Sequence, residues 1–455
     1  YKIRRSFLYR CIITSALGSL LLGYDLGIIS GALIPIEDEL NLSHVQVEFM
    51  TSSILFTSIL GSLMAGGVAD LFGRKKGLLA AALIFCVGSI GMASSTSFAV
   101  LITWRCITGI AVGMGLVICP IFSAELAPRR ERGSLTSFNE LFINVGIPLA
   151  YLVGLVLRGQ ANDWRWMLAS GSVPAIFLFV MTCFLPESPS WLLKNGRDSE
   201  ANLIVNQLVD PSETPEVRAR AVKQTLKEMK RDMYSQKNMA SWEEMFYSKE
   251  NQEAMFIGLS FAGFQQLIGL DSLVFYSVYT LTNYGVDETT ALQVTLAMGL
   301  LKLGFTILTT MIVDDAKIGR RIPVLVGGTF NVIAMATMAG ATFFPHSLTT
   351  EALLIFGILL FVSAFGFGYG PMCWLILAEI FQGPFRSKGL SLGSVTNRLC
   401  SFLVVSTYLS FIHTLGYGGT FTVYTFTCIA ALAFSHAYLP DLTGKVMGVK
   451  NSRGD

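Results

Sequence analysis

The sequence predicts an all-α integral membrane protein with about twelve transmembrane helices in two pseudo-symmetric six-helix bundles. Three observations lead to this fold class: the composition, the number of long apolar runs, and a charge pattern that occurs twice. Of the 455 residues, 52% are hydrophobic and 14% are charged, whereas soluble domains carry about 25% charged residues. The formal net charge of +2 is close to neutral and argues against a nucleic-acid partner.

The long apolar runs predict the transmembrane helices. A run of about 20 apolar residues is long enough to cross a bilayer. In chain order the runs are 11–35, 46–70, 77–95, 98–125, 134–157, 166–186, 253–283, 289–313, 322–344, 351–378, 388–413 and 419–439. Glycine and proline interrupt several of them, which neighbouring helices in a bundle can accommodate.

One long polar stretch separates the sixth run from the seventh. We therefore expect an N-terminal bundle over 1–186, a cytosolic helical bridge over 187–251, and a C-terminal bundle with a short cytosolic tail over 252–455. Apolar residues recur at helical spacing from Val217 to Met233, with basic residues between them, which predicts short amphipathic helices. A regulatory domain is an alternative, but about sixty residues with little apolar content favour a simple bridge.

The repeated charge pattern lies at turns between predicted spans. The first copy is Asp70, Gly73, Arg74 and Lys75, then Glu125 and Arg132; the second is Asp315, Gly319, Arg320 and Arg321, then Glu379 and Arg386. Many secondary transporters are built from two such repeats, with the substrate bound where the repeats meet. We interpret the acids and arginines as an ion-pair latch. Anchoring by positive charge alone explains the arginines but not the repeated acids.

The distribution of charge between the two ends of the spans predicts the orientation. Basic residues gather at the N-terminus and at the turns that carry the repeated pattern, whereas Glu37, Asp38, Asp287 and Glu288 lie at the opposite ends. The positive-inside rule then places both termini, the bridge and the latch in the cytosol.

A few charged residues lie within the predicted spans, where charge is costly and is a functional candidate by default. They are Asp25, Arg105, Glu140, Asp271, Lys302 and Arg398. Paired structural ions are the simpler explanation, but Asp25 has no basic residue near it in its own helix. An arginine that approaches a buried carboxylate in only one conformation changes how readily that carboxylate binds a proton. We therefore expect Asp25 and Arg105 to couple protons.

The motifs together resemble the sugar porter family of the major facilitator superfamily. They are Gly73-Arg74-Lys75, Arg105 with Gly109 and Gly113, Glu125 through Arg132-Gly133, Pro186 through Leu192, Gln265-Gln266, Gly319-Arg320-Arg321, Gly370-Pro371 with Trp374, and Ala378-Glu379. The resemblance extends over nearly the whole chain, in the order typical of the family, and implies the major facilitator fold. Within the family, the resemblance is closest to plant-type polyol and monosaccharide proton symporters. Four positions carry this likeness: Asp25, Glu140, Asp271 and Lys302.

The resemblance also implies roles for individual residues. The substrate site would hold Glu140, Gln265, Gln266, Asp271, Lys302, Phe365, Trp374 and Asn397, with Tyr276 as an extracellular gate. The cytosolic latch would hold Asp70, Arg74, Glu125, Arg132, Glu187, Asp315, Arg320, Glu379 and Arg386. From the residues alone, Phe365 and Trp374 are better explained by packing, whereas Gln265-Gln266 already indicates a ligand role. Asp271 and Lys302 would pair across consecutive spans, either as a structural pair or as part of the substrate site.

The function implied is proton-coupled symport of a monosaccharide or sugar alcohol by alternating access, not an enzymatic activity. The expected partners are the substrate, protons and the lipid bilayer, and the chain is expected to work as a monomer in the plasma membrane. Alternatives are a passive sugar carrier, a sugar sensor that signals through its bridge, and a drug exporter; the lack of a long tail argues against the sensor. The cysteines and histidines lack metal-site spacing, so no metal or cofactor is expected. No phosphate-binding loop indicates ATP-driven pumping.

Overall fold

The computed structural model describes residues 2–128, 131–237, 242–247, 249–313, 319–381 and 385–439. These residues are helical except for short connections and one isolated antiparallel bridge between Ile3 and Val209. The helices are α1 (Arg5–Leu40), α2 (His44–Phe72), α3 (Arg74–Ala93), α4 (Phe98–Leu126), α5 (Arg132–Thr136), α6 (Phe138–Leu157), α7 (Asp163–Ser170), α8 (Ser172–Cys183), α9 (Pro189–Lys194), α10 (Asp198–Leu208), α11 (Pro215–Lys237), α12 (Trp242–Tyr247), α13 (Lys249–Leu267), α14 (Leu270–Asn283), α15 (Glu288–Ile312), α16 (Arg321–Phe343), α17 (Leu348–Phe367), α18 (Tyr369–Ile380) and α19 (Arg386–Tyr438).

The predicted number of spans is confirmed within the described residues. Eleven helical segments are long and apolar enough to cross a membrane. The last, Lys388–Tyr438, has 51 residues, about twice the length of one span, and its backbone leaves the helical conformation at Gly416, with φ 70° and ψ 172°. This segment therefore contains two spans, which brings the total to twelve.

The chain divides into two compact units. The first comprises Tyr1–Ile28, Phe56–Val153 and Gly159–Met239, and the second comprises Ile29–Leu55, Gly154–Arg158 and Ala240–Asp455. In the first unit α9, α10 and α11 pack through small apolar clusters, such as Val205 and Val209 on and after α10 against Ala221 and Val222 on α11. The predicted amphipathic helices of the polar stretch are thereby confirmed.

A close crossing of α1 and α6 in the first unit positions Asp25. A Cβ atom at Gly23 would lie 1.9 Å from the carbonyl oxygen of Ile143, and one at Gly27 would lie 2.7 Å from that of Ile147. Small residues let two membrane helices approach until their backbones touch. Asp25 lies between these two glycines and is held deep in the packed helices, with 2% of the residue exposed.

Two spans in the second unit are interrupted helices. Gly269, with φ +97°, separates α13 from α14, and Gly368, with φ −109° and ψ −95°, separates α17 from α18. Such interruptions within membrane spans are tolerated where the backbone is buried in protein or lines a cavity. Half-helix ends of this kind commonly build the binding site of a transporter.

Replacing Gly269 with alanine is expected to destabilise the protein. The left-handed backbone costs an L-residue about 1–2 kcal/mol, and the new Cβ would lie 3.0 Å from the Tyr424 ring. The apparent melting temperature of the purified protein should fall by a few degrees. Gly304→Ala is the matched control, because a Cβ at Gly304 meets nothing within 4 Å; an equal loss in both variants would contradict this explanation.

Candidate functional site

Asp25 and Arg105 form a buried ion pair in the first unit. Arg105 Nη1 on α4 donates to Asp25 Oδ1 on α1 at 3.3 Å, and the two side chains are 0% and 2% exposed. Asp25 Oδ2 is buried and has no hydrogen-bond partner among the described residues. The structure therefore brings together the two predicted coupling residues and leaves one carboxylate oxygen open for a proton.

A polar cluster fills the place where the interrupted helices of the second unit meet. Gln265 at the end of α13 donates through Nε2 to the carbonyl oxygens of Tyr369 and Gly370, at 3.4 and 3.3 Å. Asn397 on α19 donates through Nδ2 to Gln265 Oε1 and to Ala262 O, the latter at 3.0 Å. Because Tyr369 and Gly370 begin α18, these bonds join both helix interruptions to α19.

Asp271 extends this cluster into the first turn of α14. The Ser401 hydroxyl donates to Asp271 Oδ2. When the Gln266 amide is turned with its nitrogen toward Asp271, it donates to Oδ2 at 3.0 Å, and its oxygen accepts from Arg398 Nη2 at 3.2 Å. The sequence marked Arg398 as a charge within a span but gave it no partner, and it did not single out Ser401, because the rotation of an apolar helix is not visible in its sequence.

The expected ion pair between Asp271 and Lys302 is not found in the described part of the chain. Asp271 lies against Ser401 and Gln266, whereas Lys302 Nζ lies 5.8 Å from the centre of the Phe365 ring. The physical reason is that serine and amide donors on neighbouring helices already satisfy the carboxylate. Lys302 instead makes a cation–π contact between α15 and α17.

The remaining predicted site residues differ in burial. Phe365 is 2% exposed, while Trp374 on α18 is half-buried. Tyr276, the predicted gate residue on α14, is fully buried and donates to Val405 O at 3.2 Å. Its ring stacks on Tyr408 of α19 at 5.1 Å between centroids. Tyr408, which sequence reasoning did not single out, therefore holds the predicted gate residue in place.

Glu140 belongs to the first unit and lies in the first turn of α6. It is half-buried, and Asn144 Nδ2 donates to its backbone oxygen at 3.1 Å and to Oε1 at 3.4 Å. This bond holds the carboxylate along α6, one turn from the residues that cross α1.

Several of the residues predicted to form a latch lie in a dense ion-pair network in the first unit. Arg74 Nη2 donates to Glu125 Oε1 at 2.7 Å, and Arg74 Nη1 donates to Asp70 Oδ1 at 3.2 Å. Glu187 accepts from the backbone nitrogens of Arg74 and Lys75 at 2.9 and 3.1 Å, and so places a carboxylate at the N-terminus of α3. Four of the predicted latch residues therefore lie in one cluster.

Other contacts of this network were not anticipated. Ser188 donates its hydroxyl to Glu125, and Lys194 Nζ donates to Asp70 Oδ2 at 2.9 Å. Arg132 is exposed at the start of α5, and its neighbour Glu131 pairs with Arg5. Arg132 was predicted from its repeated position seven residues after Glu125, and its place in the latch stays a prediction.

The second copy of the pattern is described in part. Arg320 Nη2 lies 3.0 Å from Glu379 Oε1, which repeats the pairing of Arg74 with Glu125. Asp315 and the side chain of Arg386 lie outside the described residues. The described half of this second cluster agrees with the repeat predicted from the sequence.

Comparisons with known proteins cover nearly the whole chain. A family profile described as Sugar (and other) transporter matches residues 11–447. Probable polyol transporter 4 of Arabidopsis thaliana is 33% identical over 449 residues, which cover 97% of this chain and 84% of that protein. The D-xylose transporter of Levilactobacillus brevis is 32% identical over 434 residues, which cover 95% of this chain and 92% of that protein.

Solved structures confirm the major facilitator fold. A partially occluded inward-open conformation of the xylose transporter XylE from E. coli aligns with a TM-score of 0.82 and 26% identity, covering 97% of this chain and 99% of that chain. The major facilitator superfamily proton:xylose symporter XylE bound to 6-bromo-6-deoxy-D-glucose aligns with a TM-score of 0.76 and 26% identity, covering 97% and 98%. With a family profile across residues 11–447 and relatives above 30% identity, the chain is a multi-pass membrane transporter, not an enzyme, and belongs to the sugar (and other) transporter family.

Proposed function

We propose that the chain carries out proton-coupled symport of a monosaccharide or sugar alcohol by alternating access. The observation that supports this most directly is the buried Asp25–Arg105 pair, in which Asp25 Oδ2 has no donor. A carboxylate in a membrane interior binds a proton more readily when its cationic partner withdraws. Movement of α4 relative to α1 would therefore load and unload a proton as the transporter changes conformation.

The polar cluster supports a hydroxyl-rich substrate. Gln265, Gln266 and Asn397 provide amide donors and acceptors, and Asp271 provides carboxylate acceptors, within one buried region. A site built to hydrogen-bond hydroxyl groups rejects ligands that lack them. The half-buried Trp374 offers an apolar face for the C–H groups of a sugar or polyol. The printed names of relatives, polyol transporter and D-xylose transporter, agree with this substrate class.

The remaining assignments are Glu140, Lys302 and Phe365 as further substrate contacts and Tyr276 as the outer gate. We place both termini and α9–α12 in the cytosol and the protein in the plasma membrane, because basic residues gather on that side. In this arrangement the bundles extend over 1–186 and 252–455, and residues 187–251 bridge them on the cytosolic side.

Uptake into proteoliposomes tests this proposal. With an alkaline interior, the protein should concentrate one or more compounds from a panel of hexoses, pentoses, linear polyols and inositols, and a protonophore should abolish the concentration. Liposomes without protein are the control. Downhill equilibration that is indifferent to the proton gradient would indicate a passive carrier instead.

The two latch clusters are proposed to hold the cytosolic side closed in the outward-open state. Glu379→Gln should then shift the conformational equilibrium toward inward-open, because the Arg320 guanidinium loses its charged partner. A partly exposed ion pair stabilises by about 0–1 kcal/mol. The ratio of inward-open to outward-open molecules should therefore rise by at most about fivefold. Labelling of the buried Cys373 on α18, quantified by mass spectrometry, measures it.

Glu228→Gln is the matched control for this prediction, since Glu228 lies on the exposed side of α11 and accepts from Gln224. If the Glu379→Gln variant has normal thermal stability and unchanged Cys373 labelling, the latch proposal is contradicted. Arg320 and Glu379 would then serve only to fix the orientation of their helices in the membrane.

A further inference from the structure

Glu48 is a buried carboxylate that the proposed mechanism does not use. It lies on α2, in the second unit, with 3% of the residue exposed. Both of its oxygens accept from one residue of α19: the backbone nitrogen of Ser410 donates to Oε1 at 2.6 Å, and the Ser410 hydroxyl donates to Oε2 at 2.6 Å. Two residues that are 362 positions apart in the sequence are thus joined by a two-point contact.

Other polar contacts surround this pair. The rings of His44 and His413, one turn away on α2 and α19, lie 6.0 Å apart. His44 Nδ1 lies 3.4 Å from the Tyr279 hydroxyl on α14 and 3.7 Å from Glu37 Oε1 on α1. The C-terminal ends of α1 and α14, the N-terminal end of α2 and the part of α19 just before Gly416 therefore meet here.

Two of these helices, α1 and α14, are also joined at a deeper level. Ser30 on α1 and Ser277 on α14 have their hydroxyl oxygens 3.3 Å apart, and both residues are buried. Residues 29–55 belong to the same compact unit as α13–α19. Opening a path at this end requires α1 and α2 to separate from α14 and α19, and the Glu48–Ser410 contact must break when they do.

The chemistry of this contact suits a latch that opens and closes. Hydrogen bonds to an ionised carboxylate are shorter and roughly twice as strong as neutral ones. Within the described residues no cation pairs with Glu48. Its partner Ser410 is neutral. After the helices separate, the Ser410 hydroxyl and backbone nitrogen can form hydrogen bonds with water or with their own helix. The contact thus closes the path without stranding a second charge.

We propose that Glu48 and Ser410 form the outer latch of the transporter, which holds the outer ends of α1 and α2 against α14 and α19 until the substrate path opens outward. The proposal rests on the alternating access and the orientation proposed above. Neither Glu48 nor Ser410 touches the polar cluster around Asn397. Both residues therefore control the opening of the outer path and do not contact the substrate.

Accessibility of a thiol behind the latch tests the proposal. Ser277→Cys is the reporter, because Ser277 is fully buried, and a membrane-impermeant maleimide is added from outside to intact cells expressing the full chain. The labelling of the reporter is measured above the background from the native cysteines. It should rise severalfold when Ser410→Ala is combined with the reporter, and by at least the same factor when Glu48→Gln is combined with it. Ser410→Thr, which keeps a hydroxyl donor, should label like the reporter alone.

Ser406→Ala is the matched control one turn away on α19, where the hydroxyl donates to Leu403 O of its own helix. It should leave labelling unchanged. Equal labelling with and without Ser410→Ala would overturn the proposal, as would a rise of the same size in Ser406→Ala, which would indicate general loosening. Failure of Ser410→Thr to match the parent would overturn it as well.

The experiment separates this inference from the proposed function. Labelling requires neither substrate nor a proton gradient, so a passive carrier would give the same labelling pattern. Conversely, proton-driven accumulation with unchanged labelling would support symport and reject the latch. The melting temperature of each purified variant identifies any loss of folding, and a stable Ser410→Ala variant is sufficient for the test.

Discussion

Asp25→Asn is expected to abolish accumulation driven by a proton gradient while leaving exchange of labelled substrate across the membrane. The asparagine side chain keeps the size of the carboxylate but has no site that binds a proton near neutral pH. Arg105 then has no proton-dependent partner on α1, and the conformational change is no longer tied to proton binding. The ratio of internal to external substrate should fall to about one, as measured in proteoliposomes with an alkaline interior.

The matched control for this prediction is Asp38→Asn, which changes an exposed aspartate on the same helix. Breaking a buried ion pair costs about 3–5 kcal/mol, so part of the Asp25→Asn protein could unfold. Substrate accumulation is therefore expressed per folded molecule, with the folded fraction determined by gel filtration. A variant that still concentrates substrate in proportion to the imposed gradient would exclude Asp25 as the coupling site.

Asn397→Ala is expected to weaken substrate binding about 10–100-fold. Asn397 is fully buried and donates to Ala262 O and Gln265 Oε1, while its own Oδ1 accepts from Arg398 Nη2 at 2.8 Å. Each buried polar group left without a partner costs about 1–3 kcal/mol, and about 1.4 kcal/mol corresponds to a tenfold change in affinity. The amides that should contact substrate hydroxyls would no longer be held in position.

Competition of unlabelled substrate against labelled uptake measures this loss. Thr407→Ala, at a site on α19 where the hydroxyl bonds to Leu403 O of its own helix, should leave affinity unchanged. An unchanged affinity in Asn397→Ala would place substrate recognition outside the polar cluster.

Much of the fold follows from the sequence because membrane spans impose a length and a composition that are easily seen. The repeated pattern also predicted that its acids and arginines would pair, and the structure pairs Arg74 with Glu125 and Arg320 with Glu379. The partners lie at helix ends but are 51 and 59 positions apart in the sequence, so the repetition of the pattern, and not closeness along the chain, indicated that they interact. The last two spans were predicted separately, and the structure joins them through Gly416 without an intervening loop.

Side-chain partners inside the spans were harder to predict. A helix that is apolar on all sides gives no signal of its rotation, so the sequence could not show that Asp271 faces Ser401 rather than Lys302. The family resemblance implied that the seventh span is broken before Tyr276, but the sequence did not identify Gly269 as the point of interruption. The interruption at Gly368 was not predicted, because glycine is frequent throughout transmembrane helices. The Asp25–Arg105 pair was identified because each is a rare charge in its own span.

The movement of charge that accompanies substrate entry tests the central proposal of proton symport most directly. Proteoliposomes adsorbed on a sensor electrode are exposed to a sudden addition of a transported sugar or polyol, with no imposed pH gradient. Symport predicts a transient current that carries positive charge into the liposomes, grows with substrate concentration and disappears in Asp25→Asn. Entry of labelled substrate without any such current would contradict proton-coupled transport.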